Sequence, residues 1–329
     1  MNPIGVGVWT YGMGTDRYVS GGYKDPIPLR ERLRRIGAQK GVSAVEITYP
    51  GDMDETTYAQ YRPLLEELGL RICAVGVELV CDRSWRTGSF TSPSAGIRER
   101  SVRLVERAMD FAASVGCGVV NLWLGQDGFD YLFQTDYVLA WERLTAGLRT
   151  CAEYNGAVRL GLEYKPSEPR LKCLVDSAGT ALSLCQCVGA ENVGVTMDVG
   201  HSLMAKENPA QTAAVLMAQK RLFHLHLNDN YLLADDDMPV GSVHFLQFLE
   251  LFFWLKRCGY DGWYSLDMYP YRDDPDAAVR SSVKFIRNAE RLTEERLSGL
   301  GFAESEDAVP GDGLNGLFDR LFGADARPI

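Results

Sequence analysis

Residues 158–165 read VRLGLEYK, 192–201 NVGVTMDVGH, 222–230 LFHLHLNDN and 263–270 WYSLDMYP. Each is a short apolar run that closes on a side chain able to bind a hard divalent cation: Glu163, Asp198, His226 and Asp267. Roughly 30 to 40 residues separate one from the next, about the length of a βα unit, so each falls where a buried strand gives way to a loop. The four are therefore expected to converge on one metal site.

Working outward, the same rhythm fills the chain up to residue 297. IGVGVWT (4–10), SAVEITY (43–49), RICAVGV (71–77) and GVVNLWL (118–124) are further strand-like runs, which with the four above makes eight. Amphipathic stretches lie between them, for example 28–41, 58–69, 96–116, 137–154 and 244–259, most closing on Gly or Asn as helix C-termini do. Near-continuous apolar strands alternating with helices imply a parallel sheet covered by helices, and eight such units favour an α/β fold closed as a (β/α)8 TIM barrel. Residues 1–297 are read as the catalytic barrel and 298–329 as a polar linker followed by a short amphipathic helical tail. That tail carries Leu314, Leu317, Phe318, Leu321 and Phe322 on one stripe, and is expected to dock on its own barrel or on a neighbouring subunit. Two long insertions, 79–96 and 125–136, follow strands three and four. Their aromatics Trp85, Phe129, Tyr131 and Phe133 predict walls around a pocket on the catalytic face.

A formal net charge of −10 and a pI near 5.0 argue against nucleic-acid or anionic-membrane binding. No apolar stretch reaches the length of a membrane span. The eight cysteines are scattered through mostly apolar segments, and the N-terminus MNPIGVGVWTYG does not read as a signal peptide. These features predict reduced thiols and a cytoplasmic location. Cys185 and Cys187 stand two apart on a predicted helix and share no face, which disfavours a zinc site there.

Beyond the four ligands, Lys165 lies two residues after Glu163, His201 three after Asp198, and an acidic run Asp235, Asp236, Asp237 follows His226. E-x-K, D-x-x-H and D-x-D in this order resemble the metal-dependent xylose-isomerase-like TIM barrels, which include xylose and rhamnose isomerases, ketose 3-epimerases and inosose dehydratases. The resemblance spans about residues 4–297 and is strongest from the fifth strand onward. It implies that Glu163, Asp198, His226 and Asp267 hold a metal binding two adjacent substrate oxygens. A second metal would share Asp198 and use His201, Asp235 and Asp237. It also implies that Lys165 stabilises charge on the substrate carbonyl, and that Lys165, His201 and Asp237 belong to the catalytic group. The mixed carboxylate and imidazole set suits manganese first, with magnesium or cobalt as alternatives.

Each residue also has a plainer reading. His224 and His226 point to the same side of one strand; His226, nearer the C-terminal end, is taken as the ligand and His224 as packing or supporting it. His244, opening a helix, is read as structural. Asp235 to Asp237 could form a solvated acidic loop. Trp9, Tyr11, Tyr49, Trp123 and Phe129 are candidates for an apolar wall against a sugar. The resembled xylose and rhamnose isomerases open the ring with a histidine from the first half of the barrel. Here all four histidines lie after residue 200, so Glu46, Asp52 or Asp127 would supply that proton transfer, or the substrate needs no ring opening. Arg272 would meet a distal substrate group or pair with Asp273 or Asp274. No glycine-rich phosphate cradle is visible.

The fourth ligand separates two chemistries. Within the resembled families it is a glutamate in the 3-epimerases and several dehydratases, where it also moves a proton, and an aspartate in the xylose and rhamnose isomerases. Asp267 therefore favours an isomerase interconverting an aldose and a ketose by hydride shift. The alternative is a proton-transfer enzyme on the same scaffold: a ketose 3-epimerase, an inosose-type dehydratase, or a 3-oxo-glycoside lyase such as a C-glycoside deglycosidase. A free sugar is the expected partner, in a homo-oligomer, with a small accessory subunit if the enzyme is a lyase.

Overall fold

The computed structural model describes residues 1–300 and 312–323. Eight parallel strands close into a barrel: β1 (Ile4–Gly7), β2 (Val42–Tyr49), β3 (Arg71–Val77), β4 (Val119–Trp123), β5 (Arg159–Glu163), β6 (Val193–Asp198), β7 (Leu222–Leu227) and β8 (Tyr264–Leu266). Each pairs with its sequence neighbours, and β8 pairs with β1, as the right-handed βα repeat demands. The expected α/β barrel is therefore the fold.

The helices α1 (Leu29–Gly37), α2 (Tyr58–Leu68), α3 (Ala95–Ser114), α4 (Tyr137–Tyr154), α5 (Ala178–Val188), α6 (Val199–Met204), α7 (Pro209–Ala218), α8 (Phe245–Arg257) and α9 (Pro275–Leu292) follow the strands in turn. Their ends are set by local chemistry. Asp136, Ser177 and Asn208 accept hydrogen bonds from Leu139, Thr180 and Gln211 amides at the starts of α4, α5 and α7. Gly69 and Gly189 take left-handed conformations that stop α2 and α5. No described helix is long and apolar enough to cross a membrane. Cys185 is buried and Cys187 exposed, so the two do not share a face, and all eight cysteines are unpaired.

Two strand ends differ from the expected boundaries. The first strand stops at Gly7, and Val8–Tyr11 form a 3-10 turn because the Trp9 ring folds back over Gly7, where a Cβ would meet it at 2.3 Å. The eighth strand ends at Leu266, which leaves Asp267 on the first loop residue. The insertion after β4 is also more ordered than a plain loop: its Gly128–Phe129 pairs with Lys172–Cys173, which follows β5, as a small antiparallel ribbon.

A further helix, α10 (Asp312–Phe322), lies against the end of the barrel chain. Leu317 and Leu321 pack on the barrel core, and the Arg320 guanidinium donates to the Arg296 and Gly299 carbonyls. The tail thus docks on its own barrel, while Leu314, Phe318 and Phe322 face outward. Most of the linker, residues 301–311, and the last residues, 324–329, lie outside the described residues.

Candidate metal centre

Glu163, Asp198, His226 and Asp267 stand at the C-terminal ends of β5, β6, β7 and β8, where strand pairing sets Asp198 directly beside His226. Nδ1 of His226 is 3.5 Å from Glu163 Oε1, 3.7 Å from Asp198 Oδ2 and 3.2 Å from Asp267 Oδ2. One donor atom from each of the four fits within 4.8 Å of all the others. Oxygen and nitrogen ligands about 2.1 Å from a hard cation would be about 3 Å apart as octahedral neighbours and about 4.2 Å apart across it, so the spacing fits such an ion.

A second group adjoins the first and shares Asp198. It consists of Asp198, His201 and Asp235. The D-x-x-H spacing has a local cause: Asp198 Oδ1 accepts the His201 amide at 2.8 Å and starts α6, which turns the imidazole back toward Glu163 (3.4 Å) and Asp235 (3.0 Å). Lys165 Nζ lies 2.7 Å from Asp235 and 3.2 Å from Glu168, under the Trp123 ring at 5.0 Å. Asp237 is buried nearby and accepts from Asn228 at 3.2 Å, but it is not among the three donors that cluster within 4.8 Å. Its φ of 46° is an uncommon conformation for a non-glycine residue, held here at the edge of the site. Because Asp237 is buried and Asp235 nearly so, the acidic run is not a solvated loop.

Unbalanced charge marks the cluster. Burial, reinforced by the carboxylates of Asp235, Asp267 and Glu163, pushes the Asp198 carboxyl up to about 7 against the pull of His201. Burial, with the carboxylates of Asp235, Asp267 and Asp198 beside it, raises Asp237 well above the carboxylate range against the pull of Lys165. Burial opposes the cationic form of His201, but Asp198 and Asp235 outweigh it and raise the imidazole to about 9. Lys165 is likewise desolvated, yet Asp235 and Asp237 hold its ammonium above the usual lysine range. The buried Nδ1 atoms of His201 and His226 have no hydrogen-bond partner among the described residues. Crowded carboxylates beside orphaned imidazole nitrogens are what a divalent cation would neutralise and join, so these residues fit one.

Sequence reasoning missed the groups that hold the ligands. Asn121 donates to Glu163 Oε2 at 2.6 Å, Asn228 to Asp198 Oδ2 at 2.8 Å, and Trp9 Nε1 to Asp267 Oδ1 at 2.6 Å. Gly200 makes room for this arrangement, since a Cβ there would meet Asn228 Oδ1 at 2.2 Å. The signal available was a buried-strand asparagine at each of the two positions; the reach of Trp9 across to β8 was not readable. Trp9 thus braces a ligand, and only Trp123 of the early aromatics stands beside the site's lysine.

Several expected site residues lie elsewhere. Tyr11 is buried and donates to Asp276 at 2.9 Å, with Arg35 over its ring, so it packs between the barrel and α1 and α9. Tyr49 is buried against Phe111. Asp127 is saturated by the Ser89 and Thr91 amides and hydroxyls, which makes it an anchor for the insertion after β3 and no proton donor to a substrate. Glu46 is fully buried between His224, His226 and Ser265 and has no route to a substrate. Arg272 is exposed, stacked on Tyr23 and bonded to its hydroxyl in place of the expected pairing with Asp273 or Asp274. In the insertions Trp85 is buried under Arg100, while Tyr131 and Phe133 point to solvent, with Phe133 97% exposed. His244 pairs with Asp229 at the start of α8 in a structural role.

The model of the xylose isomerase-like TIM barrel family matches residues 35–289. Among curated proteins, the chain is similar to the xylose isomerase of Thermus thermophilus, 26% identical over 305 residues that cover 88% of this chain and 78% of that protein. Among solved structures it resembles a D-tagatose 3-epimerase-like protein (TM-score 0.70, 19% identity, 90% of this chain and all of the other). An L-ribulose 3-epimerase superposes as well (TM-score 0.70, 17% identity, 93% of this chain and all of the other). At such identities the structural likenesses speak to the fold alone. With the family match over the strands that carry the ligands, the chain belongs to the xylose isomerase-like TIM barrel family.

Proposed function

We propose that this protein is a divalent-metal-dependent isomerase that interconverts an aldose and a ketose by hydride shift. The observation that supports it best is the adjacency of two donor groups, Glu163/Asp198/His226/Asp267 and Asp198/His201/Asp235, joined through Asp198. When bound, manganese, or magnesium or cobalt in its place, would polarise the sugar carbonyl and the neighbouring hydroxyl.

The chain's own residues supply the rest. Lys165, held between Asp235 and Glu168, presents a cation to charge developing on the carbonyl oxygen. Trp123 offers an apolar face beside it for the sugar's C–H groups. Both oxygens of Asp267 are engaged, one with Trp9 Nε1 and one facing His226, so this short carboxylate is poorly placed to carry a substrate proton.

One observation favours a second reading, proton transfer in an epimerase, dehydratase or lyase. Glu46 is locked behind His226 and Asp127 among the Ser89 and Thr91 donors, and no histidine precedes residue 200, so these groups cannot open a sugar ring. A substrate that needs no ring opening removes the difficulty for either chemistry. Incubating metal-loaded enzyme with a sugar panel in deuterated water separates the two. The expected result is ketose or aldose product free of solvent deuterium; deuterium at C3, or elimination of water or an aglycone, would sink the hydride-shift reading.

A further inference from the structure

We propose that Glu46 is a positioning residue for the cation site, holding the proton of His226 on Nε2 so that Nδ1 faces Glu163, Asp198 and Asp267. The inference rests on the reading that those four residues hold a divalent cation.

Glu46 lies within β2, on the far side of β1 from β8, and its side chain crosses the barrel interior to reach His226. It is completely buried. Its Oε2 accepts three hydrogen bonds, from His226 Nε2 at 3.0 Å, His224 Nε2 at 2.9 Å and Ser265 Oγ at 2.8 Å. A histidine that donates one ring nitrogen to a carboxylate has its tautomer and ring plane fixed, and the other nitrogen becomes the better ligand. For His226 that other nitrogen is the buried, unpartnered Nδ1 among the three carboxylates.

Glu46, His224 and His226 are themselves close enough to hold a cation. Two features argue against it. Their facing atoms are already joined by hydrogen bonds, and a metal on His226 Nε2 would force the ring proton onto Nδ1, toward the pocket where the other ligands gather. Glu46 therefore orients a ligand and is not one.

Mn2+ titration of the metal-free protein, wild type against Glu46→Gln and Ser265→Ala, tests this. A glutamine can turn its NH2 toward Nε2 and drive the proton to Nδ1, so E46Q is expected to weaken Mn2+ binding about 10- to 100-fold. S265A, which loses one hydrogen bond to Glu46 but keeps its charge, is expected to stay within about threefold of wild type on the same grounds. The direct readout is the wild-type protein labelled with 15N at its four histidines and loaded with Zn2+. His226 should keep its Nε2 proton and bind metal through Nδ1. E46Q binding Mn2+ within threefold of wild type, equal weakening in E46Q and S265A, or a proton on Nδ1 would each overturn the assignment. If E46Q does not fold, the wild-type spectrum decides. Wild type binding no Mn2+ would overturn the cation-site reading itself, a different result from wild type binding and E46Q binding equally.

Discussion

Asp127 and Asp198 are both buried carboxylates past the middle of a barrel, yet they do opposite jobs. Asp127, after β4, is surrounded by donors: two amides and two hydroxyls from Ser89 and Thr91 satisfy its oxygens. Asp198, at the end of β6, is surrounded by other acids and by imidazoles whose facing nitrogens lack partners. Burial alone is thus no mark of a functional acid. A saturated carboxylate ties loops together, and an under-satisfied cluster awaits a cation.

The sharpest break between the two regions is substitution at each. Asp198→Asn should abolish binding at both donor groups and lower turnover on the order of a thousandfold or more. The metal-free protein should melt close to wild type, because relief of crowding among the carboxylates offsets the one hydrogen bond, from the His201 amide or from Asn228, that an asparagine cannot accept. Metal titration with thermal melts in chelator checks both, and a large loss of metal-free stability would erase the contrast. Asp127→Ala should do the reverse. Stranding the Ser89 and Thr91 donors should cost about 3 kcal/mol in urea unfolding while Mn2+ affinity stays near wild type.

A smaller effect sharpens the comparison through pH. In the metal-free protein the Asp198 carboxyl is raised to about 7, so below that value a cation must displace a proton. Apparent Mn2+ affinity should fall by up to about tenfold per pH unit as Asp198 protonates below 7, and should go on rising more gently above 7 because His201, held at about 9, must also lose its proton to bind. For folding without metal the sign is opposite. A carboxyl raised from 3.8 destabilises progressively as pH climbs toward 7, because the folded state resists the charge that the unfolded chain accepts. Asp127, also raised by burial but countered by its donors, is not among the candidate cation donors and should not enter the Mn2+ titration. Affinity independent of pH between 5 and 8 would contradict this account.

How much of this was legible from the chain follows from distance along it. The eight strands and the convergence of the four strand-end residues were readable because each rests on local periodicity and on position at a strand terminus, both properties of short segments. His201 was readable for the same reason: its spacing from Asp198 is one helical turn, and Asp198 caps that turn. Trp9, Tyr11 and the insertion aromatics were assigned to the pocket because strand ends point there, but a 3-10 turn after Gly7 sets Trp9 against Asp267 and Tyr11 in the packing against α1 and α9. Phe133 projects into solvent from a positive φ that no sequence pattern revealed. Glu46 and Asp127 were mistaken for candidate acids since a sequence shows a carboxylate but not its donors.

The sequence by itself determined the barrel and the gathering of carboxylates and an imidazole at one end of it, because strand periodicity and the direction of parallel βα units leave those side chains one place to gather. Tertiary structure alone decided which acids are satisfied and which are not. Trp9 meets Asp267 across 258 residues and Glu46 meets His226 across 180. Hydrogen bonds of that reach are made by closure of the barrel, which sets distant strands side by side and leaves no trace in any local stretch of the chain.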